Sequence, residues 1–197
     1  PVNDQRREDG RKPIHCLWLW GQGRASRWPS FAERHHVSGT VVATNDVRRG
    51  IGICAGLGAI EPSDVTAADG SDFLSRGQAA LRELGKKDFV YVHAEMPVGM
   101  ARGDAKAAVK VVEEFDKQLV GTLLNGLAAM GPFRLLLVCD GGRVRNDGSR
   151  PPIYALCDGP LQKSKSGSRG FNETDAAAVK DGVRDATKLS AKLLTQG

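Results

Sequence analysis

KDFVYVHAE, residues 87–95, decides the fold of this chain. Its centre, Phe89 to Val92, is apolar without a break, with Lys87 and Asp88 before it and Glu95 after it. The run is too short for a buried helix and lacks the alternation of a strand with one wet face. It has the pattern of a strand buried on both faces, as strands are in parallel sheets.

Outward from it, Asp104 opens a long helix. Val112, Phe115, Leu119, Leu123, Leu127 and Met130 recur at steps of three and four and give it one apolar stripe. Gly131-Pro132 stops that helix, and FRLLLVCD (133–140) follows as the strongest strand signal in the chain. Two apolar runs joined by an amphipathic helix form a right-handed crossover. Residues 88–95 and 133–140 are therefore expected as neighbouring central parallel strands.

The same alternation continues on both sides. HCLWLWG (15–21) reads as a short strand closed by glycine, and SGTVVATN (38–45) as a β-branched strand. A helix follows over 46–58, capped by Asp46. Residues 59–70, with Pro62, Asp69 and Gly70, read as a loop. Ser71 or Asp72 then opens a helix that Gly85 ends. PPIYALCDG (151–159) is a strand with its prolines at the start, where a missing donor is harmless. After a loop over 160–170 comes a last helix, capped by Thr174, with Ala176, Val179, Val183, Ala186, Leu189 and Leu193 inward. The expectation is a three-layer α/β sandwich with a mostly parallel central sheet. Residues 1–13 read as a flexible N-terminal segment and 14–197 as one domain, without repeat or linker.

Composition excludes several classes. At 197 residues the chain can bury roughly 70% of its unfolded surface. Its 41% hydrophobic and 26% charged content is that of a soluble globular protein. Part of the net charge of +5 sits in RREDGRK (6–12) and QKSKSGSR (162–169). These are polar loops and not a basic face interleaved with stacking aromatics, which argues against nucleic acid as a partner. Cys16, Cys54, Cys139 and Cys157 stand singly, against a zinc site or a disulfide framework. Cys16, Cys139 and Cys157 lie in apolar runs and are expected to be buried. No apolar run is long enough to span a bilayer and no signal-peptide pattern opens the chain, so a cytoplasmic location and no membrane partner are expected. The start at Pro1 instead of Met is the expectation of a processed, excised or incompletely represented chain.

The ordered segments resemble a known family. WLWGQG (18–23) with Pro29 and Phe31, NDVRRGIG (45–52), SDFLSRGQAALREL (71–84), KKDFVYVHAEMP (86–97), RGDAKAAVKVVEEFD (102–116) and FNETDAAA (171–178) fall in one collinear series. Together they are similar to the C-terminal half of the archaeal-type cofactor-independent phosphoglycerate mutases, of the alkaline-phosphatase superfamily, over about residues 14–196. The resemblance implies an alkaline-phosphatase-like fold and an ancestral glycolytic isomerase. It also implies two Mn or Mg ions gripping a phosphoryl group on a serine. Hard oxygen ligands and imidazole suit such ions.

Against that family pattern this chain departs at the ligands. The Asp and His of a Pro-Asp-x-x-x-His motif meet Pro97-Val98, in a segment VGMARGD (98–104) that is one residue short and has no His. The Asp-His pair becomes Asp140-Gly141, and a later His meets RVRNDGSR (143–150), where Asp147 is a weak substitute. No histidine follows His93. The family's serine and first aspartate belong to an N-terminal half outside this chain. Only Asp140 remains of five ligands, as a residual and doubtful metal residue, so no cofactor and no catalytic residue are expected. A pseudoenzyme is the resulting expectation.

Three positions stay in view. Arg49 falls on the family's phosphate-facing Lys and could bind phosphate bidentately, or Arg48 and Arg49 are solvated helix-start charges. His93 and Glu95 stand at a strand end where α/β sites form, or His93 is a hydrogen-bonded core histidine. His35-His36 reads as surface, GIGICAGLG (50–58) lacks the spacing of a dinucleotide loop, and Trp18, Trp20 and Trp28 read as core and rim packing. The functional readings are a divergent mutase-family protein inactive on its own, a non-catalytic descendant binding a phosphorylated small molecule or a protein partner, and a small nucleotide or nucleic-acid module.

Overall fold

A computed structural model of the chain describes residues 1–24, 27–61, 72–95, 105–140, 153–159, 170–178, 188–189 and 193–194. At its centre lies β1, Gly39–Val42, with Thr40, Val41 and Val42 all buried. β2, Gly58–Ile60, pairs with one edge of β1 and β3, Phe89–Val92, with the other, both parallel. Side chains alternate along a strand, so each face of β1 meets a different helix. On one face Thr40 Oγ1 donates to Glu83 Oε2 at 3.0 Å, on α4, Phe73–Leu84. On the other, Val41 lies against Gly52 of α3, Asp46–Cys54; a Cβ added there would sit 2.5 Å from Val41 Cγ2. Helices cover both faces, as expected for a three-layer α/β sandwich.

The core lies on the α4 side. Phe73, Ala80, Leu119, Leu123 and Leu127 form it, with Val90 and Val92 of β3 packed against it. Its helical wall is α5, Ala105–Phe115, a π-helical turn over Asp116–Val120, and α6, Gly121–Met130. Of the expected stripe, Leu119, Leu123 and Leu127 are buried, but Val112 and Met130 are half exposed. Phe115 packs inward as expected, and Val111 turns inward in place of Val112. The inward residues thus recur every four positions, longer than the 3.6 of an α-helix. The π turn takes up the difference.

Local chemistry explains the ends. Asn45, not Asp46, caps α3: its Oδ1 accepts from the backbone N–H groups of Val47 at 2.9 Å and Arg48 at 3.3 Å. Asp72 caps α4 by accepting from Ser75 N at 2.9 Å. The last described helix, α7, Glu173–Ala177, is capped by Asn172 and not by Thr174. Within the head read as flexible, Val2–Glu8 forms a helix, α1, which buries none of its residues. A five-residue helix, α2, Phe31–His35, opens with a capping box between Ser30 and Glu33.

Three strand expectations need correction. β4, Phe133–Cys139, is not the parallel neighbour of β3: it pairs antiparallel with β5, Ile153–Gly159, over seven register positions. An unbroken apolar run indicates a strand but carries no information on which edge meets which neighbour, and β4 is half-buried or exposed along its length. β5 matches β4 in length, whereas β3 has four residues. HCLWLWG (15–21) forms no strand; Leu17, Trp18, Leu19 and Trp20 are 85–87% exposed, and no described strand pairs with them. Hydrophobicity alone does not make a strand, because its backbone groups need a ladder. Trp28, Cys16 and Cys139 are likewise exposed instead of packed, and Cys54 is exposed as well. β2 straddles the end of the expected helix over 46–58, which stops at Cys54, and the start of the expected loop, and its three residues carry no periodic signal. Asp104, Pro151, Pro152 and most of the expected C-terminal helix lie outside the described residues; Leu189 within it is buried, as expected. Among the described residues no helix is long and apolar enough to cross a membrane.

Candidate functional site

The carboxyl ends of parallel strands are where ligands bind in α/β sheets. Here β3 ends at Val92, and His93 follows with its backbone N–H bonded to Val42 O of β1 at 3.0 Å. The first turn of α3 rises beside it and presents Arg48. Asp140, just past β4, comes to the same place. Together with Tyr91 they form the polar end of an open groove of about 520 Å³ whose walls are apolar.

His93 sits at the junction. Arg48 Nε donates to His93 Nε2 at 3.3 Å, and Tyr91 Oη lies 3.1 Å from His93 Nδ1. A guanidinium N–H can only donate, so Nε2 is the acceptor and Nδ1 carries the proton toward the tyrosine oxygen. Glu95 Oε1 stands 3.5 Å from the same Nε2. Burial pushes the Tyr91 phenol above its usual value; Arg48 pulls it back and Asp140 adds to the rise. The two rings stack, with centroids 6.1 Å apart. His93 is thus both hydrogen-bonded, as a core histidine would be, and part of a site wall.

Beneath it lies a buried cation. Arg76 of α4 is wholly buried and donates to His93 O at 3.3 Å and to Thr44 Oγ1 at 3.4 Å. Burial lowers its pKa, with Asp72 and Glu95 opposing, yet a guanidinium stays charged. It fixes the backbone at the strand ends from below.

Arg49 is placed elsewhere. Its guanidinium bridges Asp46 of its own helix and Glu61 past β2, and those two carboxylates raise its pKa, Glu61 the more. Arg48 and Arg49 differ by about 100° around the helix, and only Arg48 faces the groove. The structure therefore brings together His93, Glu95 and Asp140 but not Arg49. Sequence reasoning singled out neither Tyr91 nor Arg76 and named Arg48 only as a solvated helix-start charge; only the turn of α3 separates the two neighbouring arginines.

The fit of a two-metal centre can be tested on the donors. Both ring nitrogens of His93 are engaged by side chains, and among the described residues no group of three or more His, Cys, Asp or Glu side chains could hold one ion. His93, Glu95 and Asp140 as placed do not fit a pair of hard cations. The ligand positions expected within 98–104, at Gly141 and at Asp147 lie outside the described residues.

No family model matches the chain. Whole-protein relatives do. It is 31% identical, over 98% of its own length and 49% of the relative's, to a probable 2,3-bisphosphoglycerate-independent phosphoglycerate mutase of Geobacter sulfurreducens. To the mutase of that name from Methanothrix thermoacetophila it is 37% identical over 79% of its length and 41% of the relative's. This chain is a homologue of the 2,3-bisphosphoglycerate-independent phosphoglycerate mutases. It spans about half the length of the mutases it matches. The fold agrees: the cofactor-independent phosphoglycerate mutase of Thermoplasma acidophilum superposes with a TM-score of 0.62 at 17% identity, over 98% of this chain and 47% of that one. A Pyrococcus horikoshii protein gives 0.66 at 19% identity, over 90% of this chain and 47% of that one. The mixed α/β architecture with a parallel sheet expected from the sequence is the fold these structures share with this chain.

Proposed function

We propose that this mutase homologue is catalytically silent on its own and keeps a weak site for a phosphoryl group where Arg48 meets His93. The observation that carries the reading is the Arg48–His93 contact, in which both imidazole nitrogens are engaged by side chains. A guanidinium whose Nε is spent still has paired N–H groups for a phosphate oxygen. Asp140 on the same groove opposes an anion, which keeps the affinity low. The sequence supports loss of chemistry independently, since Gly141 follows Asp140 and no histidine follows His93. A two-metal centre acts as a unit, so one remaining carboxylate leaves no partial activity to inherit.

Two measurements test this. Phosphoglycerate mutase turnover with added Mn²⁺ should equal the no-enzyme control; chelator-sensitive turnover would overturn the silent reading. Calorimetry with inorganic phosphate should show weak binding that salt screens and Arg48→Ala abolishes. Equal binding by the variant, or none by the wild type, would remove the phosphoryl site.

A further inference from the structure

One side chain joins the two strand ends that build the site. His93 is held by its backbone on both sides: its N–H donates to Val42 O of β1 at 3.0 Å, and its C=O accepts from Arg76 Nη1 at 3.3 Å. The second arm, Nη2, donates to Thr44 Oγ1 at 3.4 Å, just past the end of β1. The guanidinium thus spans the carboxyl ends of β1 and β3 from a single position on α4. Phe73, Gly77, Ala79 and Ala80 around it on that helix are buried too, so the backbone that carries the fork is itself fixed. A planar fork holds two separate acceptors in a set geometry. An ammonium on a flexible stem does not.

Stability alone does not call for a cation at this position. Arg76 is wholly buried, and taking a guanidinium out of water costs free energy that an apolar side chain of similar volume would not incur. What an apolar side chain cannot do is direct two acceptors. We propose that Arg76 is a positioning residue, which fixes the backbone of His93 so that its imidazole meets and aims Arg48. Placement of the ring matters at short range. Arg48 Nε reaches Nε2 at 3.3 Å while Tyr91 Oη lies 3.1 Å from Nδ1, and hydrogen bonds weaken steeply as their angles close. The consequence for phosphate rests on the phosphoryl reading above; the placement of the ring does not.

The test uses the full 197-residue chain with Arg76→Met, which removes the fork, and Arg76→Lys, which keeps the charge without it. Two quantities are read: the ring-nitrogen NMR shifts of His93, assigned by their loss in His93→Gln, and phosphate binding by calorimetry. Both variants should move the His93 shifts and weaken phosphate binding at least about tenfold, as expected when the support of a binding side chain is lost. Leu127→Ala, in the buried core on α6, should lower the melting temperature and leave both readouts unchanged. Unchanged His93 shifts in either folded variant, full phosphate binding by Arg76→Lys, or equal changes in Leu127→Ala overturn the proposal. So does loss of the fold in both Arg76 variants, because the cation then serves the fold itself. Should only Arg76→Lys fold, it decides by the same readouts. An absence of phosphate binding by the wild type removes the phosphoryl reading alone, and the His93 shifts still decide for Arg76.

Discussion

Arg48 Nε lies 3.3 Å from His93 Nε2, and this contact sets the proton arrangement at the strand ends. With Nε2 accepting, the other ring nitrogen faces Tyr91. His93→Gln keeps an acceptor for Arg48, whereas His93→Ala removes it. Phosphate binding should survive the first substitution better than the second, as read by calorimetry. Identical losses would mean that the ring does not orient Arg48.

Arg49 separates the sequence reading from the structural one. Asp46 and Glu61 hold its guanidinium, and the exposed pairs are screened by salt. Arg49→Ala should leave phosphate binding unchanged and lower the melting temperature slightly, the more so at low ionic strength. Loss of phosphate binding in this variant would restore Arg49 as the ligand residue.

Gly52 is where α3 touches the sheet. A Cβ there would stand 2.5 Å from Val41 Cγ2 and 3.1 Å from Val41 Cβ. Val41 is buried and β-branched, with little freedom to move. Gly52→Ala should destabilise by roughly 1–3 kcal/mol in urea denaturation, despite its gain in helix propensity. A stabilised variant would mean that α3 lifts off β1 at little cost.

How far the sequence could be read follows from such contacts. The strands β1, β3 and β4 and the glycine at the end of α4 were legible as elements, but of the three strands only β1 is buried; β3 and β4 are half-buried or exposed along their length. Pairing was not: β4 joins β5, and nothing in LLLV distinguishes that edge from the edge of β3. The inward face of the α5–α6 wall was displaced from Val112 to Val111 by the π turn, which follows from tertiary packing. At the site, His93, Glu95 and Asp140 were legible as strand-end residues. Arg48 was not, because choosing it over Arg49 needs the rotation of α3 about its axis. Leu17 to Trp20 misled because an apolar run was equated with a buried one.

Acid should weaken the fold through Glu83. Lys86, then Thr40, hydrogen-bond its carboxylate and hold its pKa below the usual range, against some burial. A carboxyl group depressed in the folded state contributes stability above its unfolded pKa of about 4.3 and loses it as pH falls through the lower folded value. Asp88, bonded through Ser38 to the start of β1, and Glu33 are depressed too and act with the same sign. The melting temperature should therefore fall as pH drops below about 5. Glu83→Gln should flatten the acid limb of that curve and leave a lower plateau at neutral pH. An unchanged slope would show that Glu83 is not a source of the acid sensitivity.

Phe73 should be the costliest single truncation in the described core. It is wholly buried and meets Phe115 edge to face at 5.4 Å, tying α4 to α5. Removing its ring loses the transfer energy and leaves a cavity that this short core can close only in part. The expected cost is roughly 3–5 kcal/mol, a large share of the total of about 5–15 kcal/mol. Leu136 gives the comparison. From sequence alone, Leu136→Asp is expected to unfold the protein, but β4 leaves that side chain half-buried and an introduced carboxylate can reach water. In urea denaturation, Phe73→Ala should lower the midpoint more than Leu136→Asp. The reverse order would place the mechanical centre of the fold at β4 and β5 instead of beneath α4.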